Sequence, residues 1–198
     1  MTVRTGNRAA TTRGALLTAA RSVFSGAGFA EASIADVVAQ AGASVGSLYH
    51  HFGGKGELYL ALFEDYQRRQ EGRVADAVRG ARLVESDPVA LFVAGSRAYL
   101  DGCWCERDLT RLFLAGGGPP GFELVARRRY REWTRRNATL LCNGPEDAGE
   151  PWGDALVLVL TTVVSEAGHE VAVCDTAPAA HCLAGDVLAL IARIGGAS

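Results

Sequence analysis

The chain has 198 residues, of which 48% are hydrophobic, and its formal net charge is −2. This composition supports a packed core without disulfide staples, and the length allows one large domain or two smaller ones. The first 13 residues lack an apolar signal core, and the most apolar stretch, residues 155–164, is too short to cross a bilayer. We therefore predict a cytoplasmic protein without a membrane partner, whose five cysteines are reduced thiols.

The charged residues are unevenly distributed along the chain. Residues 1–56 carry a net charge of +3, whereas the remaining residues carry −5. A basic region at one end of an acidic chain modestly favours nucleic-acid binding by that end.

A first helix is predicted over about residues 11–27. Leu16, Ala20, Val23 and Phe24 recur along one side of it, as expected of a helix that packs against a neighbour. We expect this helix to brace the two short helices that follow, with Arg4 and Arg8 before it as a flexible arm for the DNA minor groove.

The second predicted helix begins after Ser33 and ends at Gly42. A serine followed three residues later by Asp36 is an N-cap pattern, and glycine accepts the left-handed backbone of a helix C-terminus. Four apolar residues at three- and four-residue spacing define its buried side. They are Ile34, Val37, Val38 and Ala41.

The third predicted helix spans Val45 to His51 and is capped by Ser44. Leu48 and the following Phe52 can turn into the same core as the second helix. Two helices joined by such a short turn predict a helix-turn-helix over residues 33–52.

The outer side of the third helix has the small or polar-tipped residues that fit a DNA major groove. Ser47 can exchange hydrogen bonds with base edges, and Val45 can contact a thymine methyl. Tyr49, His50 and Lys55 can donate to phosphate oxygens. The complete set of predicted DNA-binding residues is Ser33, Ser44, Val45, Gly46, Ser47, Tyr49, His50, His51 and Lys55.

The run from Arg13 to Leu60, with Phe24, Gly28, Phe29, the segment GASVGSLYHHF and Lys55, resembles the N-terminal domain of the TetR family of bacterial transcriptional regulators. The resemblance covers about the first third of the chain. It implies an all-α homodimer that binds a near-palindromic operator in double-stranded DNA, usually represses, and releases DNA on binding a small molecule. Family members often have lysine, arginine or glutamine at the position of Val45, so this chain departs from the pattern there.

The domains expected from this resemblance are a DNA-binding domain over residues 9–69 and a helical effector-binding and dimerisation domain over residues 70–198. A long helix from Gly56 to about Ala81 would link them mechanically. The next helix begins at Asp87-Pro88, an N-cap followed by a first-turn proline, and reaches about Cys105. Further helices are predicted over 107–115 and 122–141, separated by the glycine- and proline-rich loop 116–121 and followed by a loop over 143–151.

The last two predicted helices, about 152–173 and 178–194, are unusually apolar. In the resembling family the two final helices of each subunit form a four-helix bundle with their mates, so homodimerisation through residues 152–194 is expected. Burial within a single chain is the alternative.

Aromatic residues in the middle helices suggest a pocket for a largely apolar small-molecule effector. Core packing is the alternative for each of them. The predicted effector-binding residues are Tyr99, Trp104, Phe113, Tyr130, Trp133 and His169.

Patterns for catalysis and metal binding are weak, and neither an enzyme nor a cofactor is predicted. GASVG at residues 42–46 matches a nucleophile elbow, but a helix precedes it where that motif needs a strand. Glu166, His169 and Glu170 could meet on one helix, although a satisfied histidine is the commoner case. The arginine-rich segment 127–136 could bind nucleic acid or an anionic effector, but a solvated helix face is the simpler interpretation.

Two other classes of function stay open at this point. One is a small-molecule-binding or interaction module without selective DNA binding. The other is an enzyme that uses a cavity in the C-terminal domain. No sequence motif supports either class.

Overall fold

The computed structural model describes residues 3–114, 116–141 and 151–195; the side chains of residues 3–9, 151 and 152 lie outside the described part. All regular secondary structure in these ranges is helical, as predicted. The helices are α1 (Val3–Glu31), α2 (Ile34–Ala41), α3 (Val45–Phe52), α4 (Lys55–Ala81), α5 (Pro88–Cys105), α6 (Arg107–Leu114), α7 (Phe122–Leu141), α8 (Pro151–Val173) and α9 (Ala177–Gly195).

The first helix is longer than the sequence pattern indicates. It begins at Val3 rather than near Thr11, so Arg4 and Arg8 belong to a helical backbone and the expected flexible arm is wrong. Residues 3–11 contain no proline that would interrupt a helix. The regular helix is broken at Gly28, whose φ of 76° and ψ of 170° are available to glycine at little cost. Of the predicted loop 143–151, residues 143–150 lie outside the described part, and Pro151 is the first residue of α8.

The chain divides into two compact units. Unit 1 comprises residues 1–67 together with residues 112–123, and unit 2 comprises residues 68–111 and 124–198. The divisions therefore fall inside α4 and α6, as well as near the start of α7. The short segment 112–123 returns to the N-terminal unit, which no local sequence pattern indicates.

Unit 1 is organised around Tyr59, whose side chain is fully buried. Its ring packs edge-to-face against Phe24 and Phe29 of α1, and against Phe113 and Phe122 of the returning segment, with ring centroids 5.2–5.4 Å apart. Edge-to-face pairs of this kind add to the stabilisation from burial.

The Tyr59 hydroxyl anchors the returning segment through the backbone. The hydroxyl oxygen lies 3.4 Å from the Leu112 carbonyl oxygen and 3.2 Å from the Gly117 carbonyl oxygen, so its one proton can be donated to either. Burial raises the pKa of Tyr59 to about 12, so this hydroxyl keeps its proton at neutral pH.

In unit 2, α5 packs against both α8 and α9. Phe92 of α5 joins Leu160 and Val164 of α8 and Ile191 of α9 in one buried cluster. A second cluster one step along these helices is built in the same way. It contains Leu100, Cys103, Ala167, Val171, Ala180, Ala184 and Leu188.

Two helices of unit 2 are long and apolar enough, by length and composition, to cross a membrane. They are Gly153–Val173 and Ala177–Gly195. Both are longer than the stretch 155–164, whose length was the reason for not predicting a membrane-spanning segment. This is weak evidence for a membrane protein, because core helices of globular proteins meet the same criterion.

A buried carboxylate ties α4 to the junction of α5 and α6. The Glu106 side chain, 7% exposed, accepts from Arg69 Nε at 2.9 Å and from Arg73 Nη1 at 2.6 Å. Arg73 also donates to the amide oxygen of buried Gln70, at 3.3 Å. Burial alone would raise the pKa of Glu106, but the hydrogen bonds and charges of the two arginines outweigh it, so the pKa lies below 4.5.

We expect Glu106→Gln to destabilise the protein by about 2 kcal/mol at pH 7. Removing one partner of a buried ion pair costs about 3–5 kcal/mol, and the cost is smaller here because both arginine side chains are about one third exposed and can be hydrated. Denaturant unfolding at one protein concentration measures it. Asp76→Asn, which breaks the exposed ion pair with Arg79, is the control and should cost less than about 0.5 kcal/mol.

The stabilities of the wild type and of Glu106→Gln should depend differently on pH. The pKa of Glu106 is lowered in the folded state. Its contribution to the free energy of unfolding is therefore complete above pH 4.5, and it is lost as the pH falls through the folded-state pKa. The stability gap between wild type and Glu106→Gln should therefore narrow below pH 4.5. A gap that is constant from pH 7 to pH 3 would contradict the role assigned to this carboxylate.

Candidate nucleic-acid interface

The start and end of α2 are closed by short-range hydrogen bonds. Ser33 Oγ accepts from the backbone N–H of Asp36 at 3.0 Å and donates to its Oδ2 at 2.6 Å. At the other end, Gly42 has φ 60° and ψ 32°, and its N–H donates to the Ala39 carbonyl at 3.3 Å. The predicted bounds of this helix are confirmed, because both signals are local.

Three residues, 42–44, separate the end of α2 from the start of α3. Ser44 Oγ accepts from the N–H of Ser47 at 3.1 Å, which caps the helix. Leu48 and Phe52 are buried, as are Val37 and Val38 of α2, and both helices pack against α1. The helix-turn-helix predicted over residues 33–52 is thus present, with α1 as its brace.

The outer face of α3 combines apolar and small residues. Val45 and Tyr49, four residues apart and therefore on one face, have 48% and 51% of their surface exposed. A Cβ atom built on Gly46 would have one neighbour within 4 Å, Ser44 Oγ at 3.9 Å. The first turn of α3 therefore presents a slim, accessible surface.

The last turn of α3 carries two histidines with different surroundings. His50 is exposed, whereas His51 is half-buried. Their rings lie 5.3 Å apart, and the His51 ring is 6.3 Å from that of buried Phe52. His50 is thus the more accessible hydrogen-bond donor of the pair.

Lys55 has a structural role that its position in sequence does not indicate. Its Nζ donates to the Ala30 carbonyl at 2.9 Å and lies 4.7 Å from the centroid of the Phe29 ring. The ammonium thereby ties the start of α4 to the end of α1. Since an ammonium has three N–H donors, it can still donate a hydrogen bond to a phosphate oxygen.

Arg13 is a basic residue that the predicted set of DNA contacts omitted. Its guanidinium lies 5.1 Å from the centroid of the Phe52 ring, and its side chain is exposed. This placement puts a cation beside the end of α3. Only the packing of α1 on α3 brings the two together, so local spacing could not have revealed it.

Two of the six predicted effector-binding residues line one cavity in unit 2. Tyr99 and Trp133 stack with ring centroids 5.0 Å apart. The remaining lining residues come from α4, α5 and α7: Val74, Phe92, Gly95, Ser96, Asn137 and Leu140. The cavity holds about 10 Å³, room for about one water molecule.

Sequence reasoning missed the polar wall of this cavity. Ser96 and Asn137 are both buried, and Asn137 Nδ2 donates to Thr161 Oγ1 at 3.0 Å. The usable signal was the position of Asn137, one helical turn after Trp133 on α7.

The other predicted effector residues lie elsewhere. Phe113 belongs to the aromatic cluster around Tyr59 in unit 1, whereas Tyr99 belongs to unit 2, because the division between the units falls inside α6. Trp104 packs on the Leu100 cluster beneath the guanidinium of Arg107, at 4.6 Å.

Tyr130 and His169 lie near the cavity-bearing helices without lining the cavity. The Tyr130 ring is 6.1 Å from that of Trp133, and its hydroxyl is 3.0 Å from Thr162 Oγ1. His169 Nδ1 is 3.8 Å from a Glu166 carboxylate oxygen.

The alternative chemical sites find little support. Ser44 caps a helix that follows another helix, whereas a nucleophile elbow needs a preceding strand. No cluster of three or more histidine, cysteine, aspartate or glutamate residues suited to a metal occurs among the residues that the structure describes. In the arginine-rich segment, Arg129 pairs with Glu132 and Arg136 pairs with Glu71.

Comparison with known proteins places this interface in a family context. The sequence profile of the bacterial regulatory proteins of the tetR family matches residues 16–62. The transcriptional repressor AcnR of Corynebacterium efficiens is 35% identical over 85 residues, which are 43% of each chain. The transcriptional regulator UidR of Escherichia coli K12 is 36% identical over 74 residues, 37% of this chain and 38% of that protein. These matches therefore span less than half the length of the curated relatives.

Solved structures extend the likeness to almost the whole chain. A TetR-family transcriptional regulator from Pectobacterium atrosepticum is 25% identical, with a TM-score of 0.64 over 95% of this chain and 94% of that one. A TetR-like regulator from Rhodococcus sp. RHA1 has a TM-score of 0.69 at 20% identity, over 94% of this chain and 97% of that one; at this identity the likeness concerns the fold. The chain is therefore similar to TetR-family transcriptional regulators, in sequence over residues 16–62 and in fold over almost its whole length.

Proposed function

We propose that this protein is a ligand-responsive transcriptional repressor of the cytoplasm that binds a near-palindromic DNA operator as a homodimer. The observation that carries the proposal is the capped α2–turn–α3 arrangement, which leaves the slim Val45–Tyr49 face of α3 accessible. The similar protein AcnR, which matches this chain over 85 residues, is named a transcriptional repressor.

Helix α3 is suited to the major groove. Recognition helices contact base edges mainly through their first residues, and here those residues are valine, glycine and serine, which allow close approach. Phosphate contacts would come from the hydroxyl of Tyr49 and from His50, Lys55 and Arg13, since each can donate to phosphate oxygens. Binding would weaken steeply with salt because such contacts release counterions.

A homodimer would account for the apolar surface of unit 2. On α8, Leu158, Val159 and Val163 are 39–55% exposed, and Leu190 and Ile194 of α9 are more than half exposed. Exposed apolar residues on two helices that pack against each other favour an isologous interface. Two copies of α3 in such a dimer would read half-sites about 34 Å apart, one turn of the double helix.

Release of DNA would follow from ligand binding in unit 2. The cavity beside Tyr99 and Trp133 is too small for an organic effector, so a ligand would select a conformer in which α5 and α7 are further apart. Helix α4 belongs to both units, so a shift of its second half would be transmitted along a continuous helix.

Selection from random duplex DNA at near-physiological salt tests the DNA-binding proposal. We expect enrichment of a two-fold symmetric site. Tyr49→Phe and His50→Ala should each weaken binding to that site about thirtyfold, since each removes one hydrogen bond of about 1 kcal/mol from each of the two half-sites.

Both variants should dimerise as the wild type does. Tyr130→Phe, which removes a hydroxyl bound to Thr162 in unit 2, is the matched control and should keep operator affinity. Failure to enrich any duplex would refute the proposal and favour a module that binds small molecules only.

Gly46→Ala should change stability and DNA affinity in opposite directions. Alanine at this open helical position should stabilise unit 1 by about 0.5–1 kcal/mol, yet its methyl group would intrude between α3 and DNA, lowering affinity about tenfold. Thermal unfolding and operator titration measure the two effects.

Gly72→Ala provides the control for that experiment. Gly72 is also an exposed helical glycine with open space around it, but it lies in the unit 2 part of α4. It should gain stability without loss of affinity. Equal loss of affinity in both variants would contradict the placement of α3 in the groove.

Charges introduced into the apolar face of α8 and α9 should dissociate the dimer. Val159→Arg and Leu190→Arg would each bury a guanidinium in the proposed interface, at a cost of several kcal/mol, so light scattering should report a monomer. Leu83→Arg alters an apolar residue that is 85% exposed outside this face and should stay dimeric. Dimers in all three variants would exclude this face as the interface.

A further inference from the structure

The first turn of α3 contains none of the side chains that usually identify a base by paired hydrogen bonds. Arginine or lysine reads guanine, asparagine or glutamine reads adenine, and aspartate or glutamate reads cytosine. Residues 45–47 of this chain are valine, glycine and serine. The Ser47 side chain is half-buried, and its backbone N–H is already used by the Ser44 cap.

What this turn does present is an accessible branched alkyl group. Val45 is the first residue of α3 and is 48% exposed. Gly46 beside it offers open space rather than a side chain. An apolar group can therefore reach the floor of a groove at this point without steric competition from its neighbour.

One base has an apolar feature in the major groove, namely the C5-methyl group of thymine. We infer that Val45 packs against a thymine methyl in each half-site and is the specificity-determining residue of this helix. The inference rests on the proposed DNA-binding function and adds the chemistry by which the operator is read.

The test replaces thymine by deoxyuridine, which removes the methyl group and keeps the base pair. Each thymine of the selected operator is replaced in turn, symmetrically in both half-sites, and wild-type affinity is measured by titration. Burying one methyl-sized group is worth a factor of about four. At one position we expect a loss of roughly fifteenfold for the two half-sites together.

Val45→Ala should remove the discrimination. This variant should bind the thymine and deoxyuridine operators with equal affinity, close to that of wild type for the deoxyuridine operator. Because Val45 is exposed, its truncation leaves no cavity, and the thermal unfolding temperature should stay unchanged. Leu114→Ala, a partly exposed apolar residue of unit 1 outside α3, should keep the discrimination.

A repeated selection with Val45→Arg gives a second readout, in which guanine should replace thymine at the same position. The inference is overturned if no thymine replacement affects wild-type affinity, if Val45→Ala still distinguishes the two operators, or if the Val45→Arg protein selects the original thymine. Each of these outcomes leaves the proposed function standing. Absence of any selected duplex, in contrast, would refute the proposed function itself.

Discussion

The exposed face of α3 depends on burial of its opposite side. Helices α2 and α3 have eight residues each, and isolated helices shorter than about 12 residues are marginal in water. Two serine N-caps and two glycine C-caps of positive φ, Gly42 and Gly53, close their ends, but such caps contribute only about 1 kcal/mol each. The burial of Val37, Leu48 and Phe52 against α1 supplies the rest. Residues buried inside unit 1 therefore hold the exposed face of α3 in place.

Sequence reasoning succeeded where the physical signal is local. The side chains of Ser33 and Ser44 each accept a hydrogen bond from the backbone N–H three residues later in the chain. Gly42 adopts the left-handed conformation, for which glycine is favoured. The alternation of buried and exposed residues in α2 likewise follows from helical periodicity. The helix-turn-helix could be predicted almost residue by residue, because its ends, its turn and its buried side are all encoded within 20 positions.

Features made by residues distant in sequence could not be predicted in this way. Glu106 and Arg69 are 37 positions apart, and nothing near either residue indicates that one carboxylate will bind two guanidiniums. The residues predicted to bind an effector illustrate the same difficulty: Tyr99 and Trp133 meet across α5 and α7, whereas Phe113 joins the cluster around Tyr59. Composition shows which helices carry aromatic residues, but packing decides which aromatic residue belongs to which cluster.

The packing around Tyr59 has a consequence for how this protein can be divided. Phe113 and Phe122 cover that ring, and both come from the segment 112–123. A fragment ending at Gln67 would contain the whole helix-turn-helix and yet leave a large aromatic cluster open to water. Unit 1 is thus discontinuous in sequence. Recombination that exchanged only the N-terminal third between relatives would separate the helix-turn-helix from part of its own core, so the two segments are expected to be inherited together.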